Sequence, residues 1–78
     1  MESEISLENL TAQNYKNNIM AYLEAGRVSI ANIYMECFRR FIVYNYKHYN
    51  FTKEEAKFHY DDYQGLLKYC IQLQGEIK

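Results

Sequence analysis

Proline and tryptophan are missing from this sequence, glycine occurs three times and cysteine twice. Without proline no residue removes a backbone donor from inside a helix, and so few glycines leave little room for irregular chain, so long helices are favoured over a loop-rich fold. Two cysteines, Cys37 and Cys70, are too few for a disulfide framework and point to a reducing, cytoplasmic setting. There is no apolar run of about 18 residues and no basic stretch leading into an apolar one at the start, so neither membrane spanning nor secretion is expected, and no membrane partner. A surplus of one charge is lacking too. Nine Lys and Arg stand against ten Asp and Glu, for a net charge of −1, so the chain as a whole has no pull toward nucleic acid or acidic lipid.

What is present fits one small helical domain over residues 1–78, with 49% apolar and 24% charged residues. That length is close to the lower size at which a lone core suffices, so stability is expected to lean on helix packing or self-association. The charge is unevenly placed: residues 1–25 sum to −3, residues 26–50 to +3 and residues 51–78 to −1. Asn, Ile, Lys, Tyr and Phe make up 33 of the 78 residues, all with AT-rich codons, which suggests an AT-rich bacterial or phage genome.

The stretch Val28 to Asn50 organises the rest. At about 100° per residue, its apolar side chains, from Ile33, Tyr44 and Cys37 round to Met35 and Tyr46, fill roughly 220° of arc. One packed neighbour covers little more than about 100°, so this helix is expected to touch two partners, in its own chain or in a second copy. Before it, Ala12, Tyr15, Ile19, Tyr22 and Leu23 recur at helical spacing from a Thr11 cap, and Ala25-Gly26-Arg27 reads as a helix end with Ser29 as the next cap. The stripes on either side of Gly26 are nearly in phase, so one continuous helix over 11–50 is the competing reading. After it, Thr52 and Glu55 form a capping box, and Ala56, Tyr60, Tyr63, Leu66, Leu67, Cys70, Ile71, Leu73 and Ile77 make the inner stripe of a third helix. Asp61 or Gln64 with Lys68 is the expected surface pair on its outer side. The fold predicted is all-α: three helices near 11–25, 29–50 and 53–77, the last two an antiparallel hairpin, the shorter first one packed across it. Residues 1–10 read as a flexible or docked arm.

Catalytic chemistry finds little support. His48 and His59 flank the second turn, but their levels in the hairpin differ by about 7 Å and no carboxylate or cysteine stands at ligand spacing. They read as histidines at the wet end of the core, bonded to backbone or to Asn45, with a metal or acid-base role as the weaker alternative. Cys37 and Cys70 both lie on apolar helix faces and read as core thiols. Glu54-Glu55 and Asp61-Asp62 are adjacent in sequence and point apart, unlike a working carboxylate pair. No phosphate loop or nucleophile motif is present, so neither an enzyme nor a cofactor nor a bound metal is expected.

Two features suggest binding. Arg39, Arg40 and Lys47, with Arg27 before them, form a basic strip on the central helix that could meet an acidic protein surface or nucleic acid, although Glu36 lies within it, placed to pair with Arg40. Nine tyrosines are the other. Tyr buries a ring and keeps a hydroxyl for water or a partner, and Tyr34, Tyr44, Tyr46, Tyr49 and Tyr69 extend beyond the arc a three-helix monomer needs, suiting a homodimer seam or a partner-binding face. The expected function is a non-catalytic protein-interaction module, an inhibitor or adaptor that binds a larger protein. The alternative is a small nucleic-acid binder using the basic face of the second helix.

Overall fold

The computed structural model describes residues 6 to 76, which form three helices: α1 (Leu7–Glu24), α2 (Val28–Lys47) and α3 (Lys53–Glu76). Ile77, expected on the inner stripe of the third helix, and residues 1 to 5 of the expected arm lie outside the described residues. α2 and α3 form the hairpin, and α1 packs across it with its larger contact on α2. No helix among the described residues is long and apolar enough to cross a membrane.

The first helix starts earlier than the sequence suggests. Ser6, not Thr11, is the cap: its Oγ accepts from the Asn9 backbone N–H at 3.1 Å, while Thr11 lies a turn inside and donates its hydroxyl to the Leu7 carbonyl at 2.9 Å. Residues 7–10 are therefore helix and not arm. The end of α1 is as expected, since Gly26 takes φ +78°, and its N–H donates to the Leu23 carbonyl at 3.0 Å while that of Arg27 donates to the Tyr22 carbonyl at 2.8 Å. This Schellman closure satisfies carbonyls the helix leaves free and excludes one continuous helix. Ser29 is not the next cap; Arg27 occupies that position without a side-chain bond.

α2 stops at Lys47, three residues short of the expected Asn50. It closes with a second Schellman motif, Asn50 N–H to the Asn45 carbonyl at 2.8 Å and Tyr49 N–H to the Tyr46 carbonyl at 3.2 Å, and here the left-handed residue is Tyr49, at φ 63°. The buried Asn45 side chain holds this turn, donating to the Phe41 carbonyl and accepting from the Asn50 amide, both at 2.8 Å. α3 opens with the expected capping box, Thr52 N–H to Glu55 Oε1 at 2.8 Å and Glu55 N–H to Thr52 Oγ1 at 3.1 Å.

Phe38 is fully buried, its ring 5.5 Å from that of Tyr15 on α1 and 6.4 Å from that of Tyr63 on α3. Around it lie Ala12, Ile19 and Leu23 from α1, Ala31, Met35 and Ile42 from α2, and Leu66 and Cys70 from α3. Cys70 behaves as the core thiol expected: burial pushes its pKa up, and its Sγ donates to Asn32 Oδ1 at 3.2 Å. Cys37 does not, being exposed. With Ile33 and Tyr44, 64% and 58% exposed, it lies within about 40° on the helical wheel, on the part of the α2 arc that neither neighbour covers. Ile71 on α3 is likewise exposed instead of inner, and Asp61 pairs with Lys57 at 3.3 Å instead of Lys68.

Candidate functional site

The five tyrosines singled out from the sequence do not share one face. Tyr34 is half-buried under α1, its ring 5.2 Å from that of Tyr22, and a hydrogen bond with Tyr22 pushes its pKa up. Tyr69 is half-buried and lines the cleft between α1 and α3 with Lys16, Met20, Asp62 and Gly65. Tyr44 is exposed and stacks on His48 at 4.0 Å, where His48 Nδ1 bonds the Tyr44 carbonyl at 2.9 Å. Tyr46 and Tyr49 do come together, at the loop end of the hairpin.

The basic strip is also divided. Glu36 pairs with both arginines, with Arg39 and, at 3.0 Å, with Arg40 Nε, the second contact being the one expected. The hydrogen bond from Arg39 holds the Glu36 carboxyl below the usual carboxylate range, and Glu36 in turn raises Arg39. Arg27 caps the opposite end of α2 from Lys47. Of the four cations, Lys47 is the one that the fold places beside Tyr46 and Tyr49.

These residues border a groove between α2 and α3. A hollow of about 480 Å³ is lined by Ile42, Val43, Tyr46 and Lys47 from α2 and by Lys53, Ala56, Lys57 and Tyr60 from α3. A second hollow of about 540 Å³ adjoins it through Tyr46, Lys47 and Lys53 and reaches Tyr49, Phe51 and Thr52 in the turn. The floor is aliphatic and aromatic, and three lysines stand over it. Lys57 meets Asp61, but no carboxylate of the described residues lies within pairing distance of Lys47 or Lys53. Tyr49 stands at the open end, 93% exposed and in the left-handed region, which costs a side chain with a Cβ about 1–2 kcal/mol. The sequence reading missed Lys53, Lys57 and Tyr60. Their spacing of four and three residues, which places them on one helix face, was the available signal.

A polar junction closes the other side of the turn. His59 is 4% exposed, and its Nε2 bonds Asn9 Oδ1 at 2.6 Å, not Asn45 or backbone. The Asn9 amide donates to Ser6 Oγ at 2.7 Å and to Glu55 Oε2 at 3.0 Å. Asn9 therefore serves its own helix cap and the cap of α3 together. The His59 Nδ1 is buried without a partner, while burial and then the Lys16 ammonium push the imidazole pKa down. The ring packs 4.9 Å from that of Phe51. Lys16 spans the same helices, pairing with Asp62 at 2.7 Å and lying 4.9 Å from the Phe58 ring centroid. Among the described residues no three His, Cys, Asp or Glu side chains gather closely enough to hold a metal ion.

Compared with known proteins, the chain matches no family model, no curated protein and no solved structure.

Proposed function

We propose that this chain is a non-catalytic protein-interaction module, an inhibitor or adaptor of the kind phages and mobile elements encode, and that it works in the cytoplasm by occupying the surface of a larger partner. The observation that carries this reading is Tyr49. A fully solvated aromatic ring held in a strained backbone conformation gains nothing from its own fold, and strain of that kind is retained where a side chain serves a ligand or partner. Tyr46, Val43 and Tyr60, each more than a third exposed, extend the apolar surface from Tyr49 along the α2–α3 groove. Exposed tyrosines are enriched at protein interfaces, whose rims are polar. In the same reading, a second copy of the chain covers the separate strip Ile33, Cys37 and Tyr44.

The nucleic-acid reading draws on Arg39, Arg40, Lys47 and Tyr44. It is weakened by the Glu36 carboxylate, which already engages both arginines.

A photo-cross-linking residue in place of Tyr46 tests the proposal directly. In host lysate it is expected to give a discrete protein adduct, whereas the same residue in place of the exposed Glu24 gives none. Equal labelling from both positions, or adducts with nucleic acid only, overturns it.

A further inference from the structure

Taking the α2–α3 groove as the docking surface, we propose that its occupant is an acidic amphipathic helix of the partner protein. The groove pairs an apolar floor of Ile42, Val43 and Ala56 with Tyr46 and Tyr60 at its walls, and carries ammonium groups on both banks: Lys47 on α2, Lys53 and Lys57 on α3. From Lys53 to Tyr60 is two helical turns, about 11 Å. A helix laid over that length offers apolar side chains at i, i+3, i+4 and i+7 to the floor and carboxylates at the flanking positions to the lysines.

Charge favours this occupant over its mirror image. Lys47 and Lys53 have no pairing carboxylate among the described residues, and Lys57 is held only by an exposed pair with Asp61, of a class that contributes about 1 kcal/mol or less and that a partner carboxylate can replace. A basic helix would set like charges against three lysines. Single-stranded nucleic acid is also a poor fit. Its phosphates suit the lysines and its bases could stack on Tyr46 or Tyr60, but the Ile42, Val43 and Ala56 side chains between them offer base edges no hydrogen bonds and are matched better by aliphatic side chains.

The inference rests on the interaction-module reading, and its test is separable from that reading's. A fluorescein-labelled peptide of about four helical turns, leucine on one face and glutamate on the other, is titrated by anisotropy against the whole chain, beside a version with every glutamate replaced by lysine and beside oligothymidylate. The glutamate peptide is expected to bind, to weaken as salt rises, and to lose about tenfold or more in affinity to the triple variant Lys47→Glu, Lys53→Glu, Lys57→Glu. These side chains are exposed, so circular dichroism should show that variant folded; Tyr46→Ala, which keeps every charge, should weaken the same peptide. Binding of the lysine peptide as tightly as the glutamate one, preference for oligothymidylate, or no binding of the glutamate peptide overturns the proposal. A cross-link from position 46 to a host protein, together with any of those results, sinks the acidic-helix assignment alone. Without a protein cross-link, both readings fall.

Discussion

Asn9 Oδ1 and His59 Nε2 meet at 2.6 Å, joining the first turn of α1 to the first turns of α3 across 50 positions of sequence. Because Asn9 also reaches Ser6 and Glu55, one amide ties together both helix starts. Asn9→Ala removes all of these side-chain bonds and leaves a second buried nitrogen of His59 without a partner. A loss of about 1–3 kcal/mol is expected in urea unfolding, with faster amide exchange in the first turns of α1. Ser6→Ala, which removes the cap and one bond of the Asn9 amide but leaves its bonds to His59 and Glu55, is expected to cost about 1 kcal/mol.

The same junction sets the pH dependence. Burial and the Lys16 ammonium disfavour charge on His59, against smaller opposing effects from Asp62 and Glu55, so its folded pKa lies below its unfolded value of about 6.5. Below that value the unfolded chain takes up a proton that the folded chain resists, so stability is full above it and falls as pH drops through it toward the folded pKa. The Glu55 carboxyl is held low, first by the Thr52 backbone N–H and then by the Asn9 amide, so its stabilisation is present above the usual carboxylate range and is lost at lower pH still. Two successive losses on acidification are therefore expected in thermal melts. His59→Gln should flatten the first and leave the second.

How much of this was legible depended on whether a signal was local. The Thr52–Glu55 box and Gly26 announce their boundaries because the bonds close within a few residues and the residue types suit them. Ser6 carries a weaker signal although its bonds close as locally, because the residue three on is Asn9 and not the Glu or Gln of a capping box. The early end of α2 was hidden because Tyr49 occupies a position where glycine is the usual marker. A wheel gives the width of the α2 arc but not which part of it α1 and α3 cover, so Cys37 was placed in the core and the tyrosines were grouped across faces that point apart. Tyr46, Tyr49 and Lys47 are named from sequence; Lys53, Lys57 and Tyr60 share a face by their own spacing, but only the hairpin register sets that face beside Tyr46.

The strip Ile33, Cys37 and Tyr44 gives the self-association reading a separate handle. The dimer is expected in sedimentation at micromolar concentration, and Ile33→Glu, which puts a charge at an exposed apolar position, should return it to monomer with little change in Tm. A strictly monomeric parent chain rules that reading out while leaving the groove untouched.

Tyr49 brings stability and function into opposition at one residue. Its left-handed φ carries a cost of about 1–2 kcal/mol that glycine does not, and its exposed ring contributes no burial in return. Glycine does add unfolded-chain entropy, about 0.4–1 kcal/mol, so Tyr49→Gly is expected to stabilise the chain by a net ~0.5–1 kcal/mol, read as a higher Tm. If the ring is a partner contact, the same variant should bind the glutamate peptide more weakly. Asn, which tolerates the left-handed region better than Tyr, should lie between the two in stability yet match Gly in binding, because both lack the ring. A Tyr49→Gly chain that is more stable and binds unchanged would separate the strain from the site and remove the observation that carries the interaction reading.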